Sequence, residues 1–201
     1  MTRRRYRLRR RAEQAAATKR RIVEATLSVH DEQGISATSV RDIADRAGVA
    51  PSTVLHHFPV MDDLIRACGE LSERLMPMPT EADMAGVPGS FERIAAMARA
   101  MFEWWIGMGP GFDHLRADRR RIPEVEAWMA DVSERHRSLA AAALGQPEEP
   151  RVALLVALTS ADAWTALRKT GSDPTAAAAQ VATVLLGSPV PPSTQPKEIV
   201  H

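Results

Sequence analysis

Residues 40–58 read VRDIADRAGVAPSTVLHHF. They hold two short helical patterns around a tight turn. Val40, Ile43, Ala44 and Ala47 share one face of the first pattern. Ser39 precedes it, and Ser39-x-x-Asp42 resembles a capping box with Asp in place of the usual Glu or Gln. Gly48 is expected to stop this helix, because glycine accepts the positive φ that the turn needs. The second pattern opens at Pro51, a favoured first-turn residue, reaches about His57 or Phe58, and is closed by Pro59. Ala44 is small enough for close approach, and Val49 and Val54 would lock the two helices together. This is the arrangement of a helix-turn-helix, whose second helix enters the DNA major groove. A helix that begins with small or polar residues suits a groove about 12 Å wide.

Working outward, nearly every periodic segment has helical spacing, and no stretch shows sustained strand alternation. The spacing predicts an all-α protein. A first helix is expected from about Glu13 to Gln33, with Ile22, Ala25, Thr26 and Val29 on one face and Gly34 as its stop. A fourth begins near Asp62 and carries Leu64, Ile65, Cys68, Leu71 and Leu75. The Pro- and Gly-rich stretch MPMPTEADMAGVPGS, residues 76–90, reads as a connector. Further helices are expected over 91–108, 112–121, 124–144, 150–170 and 174–186. The end, SPVPPSTQPKEIVH, has too little apolar content to pack. The expected division is a disordered basic arm over 1–14, a DNA-binding domain over 15–75, a helical regulatory and dimerisation domain over 76–187, and a disordered tail over 188–201.

The chain has 201 residues and a net charge of only +1, which hides an asymmetry. Residues 1–60 hold 12 Lys or Arg against 6 Asp or Glu, and the remainder is net acidic. The front is therefore suited to a polyanion and the body is not. The single cysteine, Cys68, excludes an internal disulfide and fits a reducing compartment. No apolar run is long enough to span a bilayer. The start, MTRRRYRLRRR, has no apolar stretch behind it, which argues against a secretory signal. An organellar transit peptide is the alternative, but the segment continues directly into a helical pattern.

The stretch TKRRIVEATLSVHDEQGISATSVRDIADRAGVAPSTVLHHFPVMDDLI, residues 18–65, resembles the DNA-binding domain of TetR-family transcriptional regulators. The resemblance rests on Ile22, Ala25, Gly34, Thr38, Val40, Ile43, Ala44, Gly48, Val49, Thr53, His57, Phe58 and Leu64. It covers about the first third of the chain; the rest is similar to the family only in length and helical content. It implies a three-helix DNA-binding head with a helix-turn-helix, a helical ligand-binding and dimerisation body, and a homodimer. It places DNA contacts on Ser39, Arg41, Pro51, Ser52, Thr53, Leu55 and His57, with His56 facing a groove or solvent. Three positions depart from the family pattern. Leu55 stands where tyrosine is usual, Met61 where a lysine usually holds a phosphate, and His30 replaces a common core phenylalanine. The first two remove phosphate contacts. The arginines that precede the first helix can compensate by tracking the DNA backbone or entering the minor groove.

The pair His56-His57 admits other readings. A zinc site needs further ligands, Cys68 is the only thiol, and adjacent helical residues point to different faces. No nucleophile or acid stands beside the pair for catalysis. One histidine could also be packed under the first helix. Contact with DNA is the preferred reading, and no metal, cofactor or catalytic residue is assigned.

In the body, RAMFEWWIGMGPGFDHL, residues 99–115, concentrates large apolar side chains. Met101, Trp104, Trp105, Met108 and Phe112, with Trp128 and Trp164 further on, are core at face value. Met and Trp also make an adaptable lining for a small hydrophobic or aromatic effector, so these seven are the candidate effector-binding residues. Arg116, Arg119, Arg120 and Arg121 beside Asp113 and Asp118 form either a solvated face or a site for an anionic group. His114 and His136 are expected to be structural or exposed. Leu154, Leu158, Ala161 and Trp164 or Thr165, followed by Ala176 to Ala179, Val181, Val184 and Leu185, form stripes that either suit a four-helix dimer interface or pack inside one subunit.

The expected function is a ligand-responsive homodimeric repressor in the cytoplasm. It would read a palindromic operator in double-stranded DNA and release it on binding the effector, with no membrane involvement. The alternatives are an architectural DNA binder without effector and a helical enzyme using the body pocket.

Overall fold

A computed structural model describes residues 3–145 and 149–187. Among the described residues it contains ten α-helices, one short 3-10 helix and no strand. The expected tail over 188–201 lies outside them. The helices are α1 (Arg3–Gln33), α2 (Val40–Ala47), α3 (Pro51–His57), α4 (Met61–Leu75), α5 (Ser90–Met108), α6 (Gly111–Asp118), α7 (Pro123–Leu144), α8 (Glu149–Leu158), α9 (Ala161–Arg168) and α10 (Pro174–Leu186). The 3-10 turn, Glu81–Met84, lies inside the connector.

Two expectations of extent differ from the structure. Helix α1 begins at Arg3 rather than near Glu13, so the described part of the basic arm is helical. Nothing in that segment breaks a helix, arginine is a good helix former, and Arg9 pairs with Glu13 one turn on at 2.8 Å. The single helix expected over 150–170 is two helices. Thr159 Oγ1 donates to the Leu155 carbonyl at 2.7 Å, and Ser160, extended at φ −71° and ψ 163°, caps α9 by accepting from the Ala163 amide at 3.2 Å. The Thr159 carbonyl instead receives the Trp105 indole N–H at 2.9 Å. That exchange compensates the break.

The chain forms two compact units. The first comprises Met1–Met78 and Ile106–Glu134. In it α1 packs against α2, α4 and α6, and α2 packs against α3. Its helix-turn-helix core consists of Ile22, Val23, Ile43, Ala44, Val54, Phe58 and Leu64, all buried. Val40, Ala47, Val49 and Met61 close its edges. Arg46 adds a fork onto Glu32 of α1, at 2.8 and 2.6 Å, and also contacts Ser28.

The second unit comprises Pro79–Trp105 and Arg135–His201. Ile94, Met97, Met101 and Phe102 of α5 are fully buried, as are Leu155 of α8 and Ala177 of α10. Trp164 of α9 stacks on Phe102 with ring centres 5.2 Å apart. Helices α8, α9 and α10 pack on one another.

Candidate nucleic-acid interface

Local chemistry sets the geometry of α2 and α3. The Ser39 hydroxyl accepts from the Asp42 amide at 3.2 Å, and the Asp42 carboxylate accepts from the Ser39 amide at 2.8 Å. Both halves of a capping box are therefore present. These contacts and the nearby Arg41 hold the Asp42 carboxyl below its ordinary pKa, with the Ser39 hydrogen bonds as the largest cause. Gly48 ends α2 in the left-handed region at φ 63° and ψ 44°, and the Val49 amide returns to the Ala44 carbonyl at 3.0 Å. The chain then enters α3 at Pro51, whose missing N–H costs nothing in a first turn.

Two residues one turn apart, Val54 and Phe58, anchor α3 and its end in the core. What remains of α3 faces outward. Pro51, Ser52, Leu55 and His56 are exposed, and Thr53 and His57 are half-buried. Ser39 and Arg41 are exposed at the start of α2, where Arg41 lies 3.9 Å from Asp45. The His56 and His57 rings meet edge-on, 5.5 Å apart. All eight residues expected to contact DNA thus sit on α2, α3 or the α2 cap, with their side chains wholly or partly accessible. Lys19 of α1 joins them: its ammonium lies 5.0 Å from the centre of the Phe58 ring. The sequence reading did not single out Lys19, because only the packing of α1 brings it beside the end of α3. Among the described residues, no group of three His, Cys, Asp or Glu side chains is arranged to hold a metal ion.

The same unit contains a cavity of about 620 Å³. Its wall includes Leu27, His30 and Asp31 of α1, Ile65, Cys68 and Gly69 of α4, Met108, Gly111 and Leu115, and Val125 and Trp128 of α7, together with the charged Arg66, Glu70, Glu73, Arg74 and Glu124. Burial lowers the His30 pKa to about 4, against an opposing pull from Asp118, so the imidazole is neutral near pH 7. Its Nδ1 lies 3.8 Å from Cys68 Sγ. Burial, helped by Asp31, pushes the Cys68 thiol up to about 12, which leaves it inert as a nucleophile.

Of the seven candidate effector residues, Met108 and Trp128 line this cavity. Phe112 is half-buried outside its wall. Met101, Trp104, Trp105 and Trp164 are buried in the second unit. There Trp105 also lies 6.5 Å from the His136 ring, and His136 Nε2 donates to Thr159 Oγ1 at 2.8 Å. Thr159 already donates to Leu155, so the histidine must be the donor. The lining residues from α1 and α4 went unnoticed in the sequence because each also belongs to an ordinary amphipathic stripe.

The comparisons with known proteins agree with this architecture. Residues 22–68 match the family model for bacterial regulatory proteins, tetR family. The HTH-type transcriptional regulator BetI of Rhizobium meliloti (strain 1021) is 30% identical over 117 residues, which cover 58% of this chain and 51% of the relative. The HTH-type transcriptional regulator AcrR of Shigella flexneri is 36% identical over 61 residues, covering 30% of this chain and 28% of the relative. The chain thus spans about half the length, or less, of the curated relatives it matches. Among solved structures, the multidrug binding protein EbrR complexed with imidazole aligns with a TM-score of 0.56 at 24% identity, covering 88% of this chain and 98% of that one. A transcriptional regulator from Rhodococcus sp. Rha1 aligns with a TM-score of 0.60 at 20% identity, covering 84% and 94%. These two likenesses show the fold.

The chain is therefore an all-α protein with a helix-turn-helix head. Residues 22–68, within that head, match the model of the tetR family of bacterial regulatory proteins. The two curated relatives are HTH-type transcriptional regulators. Among the described residues, no helix is long and apolar enough to cross a membrane.

Proposed function

We propose that this protein is a sequence-specific, DNA-binding transcriptional regulator that acts as a homodimeric repressor in the bacterial cytoplasm. The observation that carries the reading is α3. Val54 and Phe58 fasten it to the core while Pro51, Ser52, Leu55 and His56 stand free on its outer side. Such a helix lies in the major groove and reads base edges. Ser39, Thr53 and His57 would bind phosphate, and Arg41 a phosphate or a guanine edge. Two copies would meet a palindromic operator with half-sites about 34–36 Å apart. The dimer surface would be α8 and α10, where Leu154, Val184 and Leu186 are exposed.

A small apolar or aromatic effector would occupy the 620 Å³ cavity, with Met108 and Trp128 in its wall. The EbrR neighbour, a multidrug binding protein with bound imidazole, supports ligand binding by this fold. The cavity shares α1, α4 and α6 with the packing that holds the helix-turn-helix. An occupant that favours the non-binding arrangement would release DNA, and operator DNA would weaken the effector equally.

The test is selection from a random duplex pool, with sequencing of the bound fraction and a salt titration. Enrichment of a palindrome supports a dimeric sequence reader. Tight binding without enrichment would instead support an architectural DNA binder, the reading favoured by the arginine-rich start of α1.

A further inference from the structure

The first turns of α1 are basic and solvent-facing over their described side chains. Residues 5–16 are all exposed. Within them Arg5, Arg7, Arg9, Arg10 and Arg11 place five guanidinium groups on seven residues. A helix that is polar and exposed on all sides is marginal by itself. This one also stacks like charges one turn apart, Arg5 under Arg9 and Arg7 under Arg11, which repel. Its first turn holds no acidic residue to offset the positive end of the helix dipole. Arg9 shares its charge with Glu13, and Arg10 lies 5.9 Å from the Tyr6 ring centre. These are exposed contacts that leave the segment strongly basic.

Position and face identify the partner. Lys19 touches Phe58 at the end of α3. At about 1.5 Å per residue, Arg11 lies roughly 12 Å and Arg5 roughly 21 Å further along the α1 axis. A duplex presents one phosphate charge per about 1.7 Å of its axis, so DNA beside a groove occupied by α3 offers phosphates at this distance. The only large apolar residues in the segment, Tyr6 and Leu8, are two positions apart and lie on opposite sides of the helix. It therefore lacks the single apolar face that a lipid surface or a protein groove needs.

We propose that the N-terminal turns of α1 are a second DNA-binding element, which lies against the phosphates flanking the operator and extends the footprint beyond the bases read by α3. The inference rests on the DNA-binding reading of α3.

The experiment compares the full chain with a variant carrying Arg5→Gln, Arg7→Gln, Arg9→Gln, Arg10→Gln and Arg11→Gln. The duplex is the enriched one from the random pool, used with long flanks and trimmed to the enriched bases. The expected result is the same enriched sequence for both proteins, with a log K against log salt slope shallower by up to about 4–5 per subunit in the variant. That difference should shrink on the trimmed duplex. Equal slopes on the long duplex overturn the inference and leave the reading of α3 standing. If the full chain binds no duplex at any salt, both fall. If the arginines govern retention on phosphatidylserine vesicles and not the DNA slope, the partner is a lipid surface and the inference is overturned.

Discussion

The carboxylate of Asp118, at the end of α6, accepts the backbone N–H of Ile35 at 2.8 Å, across 83 residues of sequence. It also accepts the Ser36 amide at 3.1 Å. The turn that leads from α1 into the helix-turn-helix is thus held by one acid of α6. Gly34 makes this possible: it sits at φ 85°, and a Cβ there would lie 3.2 Å from the same carboxylate oxygen.

Asp118→Ala should destabilise the first unit by about 2–3 kcal/mol, because two N–H groups lose a charged acceptor. Asp118→Asn, which keeps one acceptor oxygen, should cost less. Urea unfolding checks both. Burial alone would raise the Asp118 pKa, but the Ser36 hydroxyl, the amides of Ser36 and Ile35 and the nearby Arg121 outweigh it and hold the carboxyl below its ordinary value. This contribution is present above the unfolded carboxyl pKa and is lost as pH falls through the lower folded value. Asp118→Ala should therefore lose its effect in strong acid.

Two buried histidines predict a second, milder acid effect. Burial lowers both His30 and His136 to about 4 from 6.5. The unfolded chain then binds more protons between those values, so stability is complete above about pH 6.5 and falls as pH drops toward 4. The His136→Gln variant should lie below wild type at pH 7, since Thr159 and Trp105 lose their neighbour. Its stability should also depend less on pH between 6.5 and 4. Urea midpoints across this range give the comparison, and parallel curves would show that His136 is not the titrating group.

Gly48 offers a strain test with no steric complication. Its φ is +63°, and a Cβ would meet nothing within 4 Å. Gly48→Ala should cost about 1 kcal/mol from the left-handed backbone alone, and Gly48→Asn less. Thermal melts of the two variants should keep that order. Ser39→Ala, which removes the α2 cap, should cost about 1 kcal/mol by itself.

Leu55 is 47% exposed on the outer side of α3, at the position where tyrosine is usual among TetR-family heads. Leu55→Tyr should tighten binding to the selected duplex by roughly five-fold, about 1 kcal/mol, if the phenol gains a phosphate hydrogen bond. Titration at fixed salt reads this directly. Unchanged affinity would place Leu55 away from the backbone.

The head was legible in the sequence because its signals are local. Ser39 and Asp42 are three residues apart, Gly48 supplies its own backbone conformation, and Val54 and Phe58 are one helical turn apart. Each needs only its near neighbours, so spacing alone determined the capping box, the turn and the limits of α3. The all-α class followed from the same periodicity. The tertiary structure decided what depends on distant partners. Asp118 reads as one more charge in an arginine-rich stretch until the Ile35 amide meets it. The Thr159 carbonyl, left free by the break after Leu158, is satisfied only by Trp105, 54 residues away in sequence. Trp104, Trp105 and Trp164 carry the composition of a ligand site but are packed in a core, whereas Met108 and Trp128 line a cavity with residues from α1 and α4. Hydrophobic spacing states which side of a helix is buried. It does not state whether the facing side chains close on it or leave room, because that depends on the volumes of residues brought together from five helices.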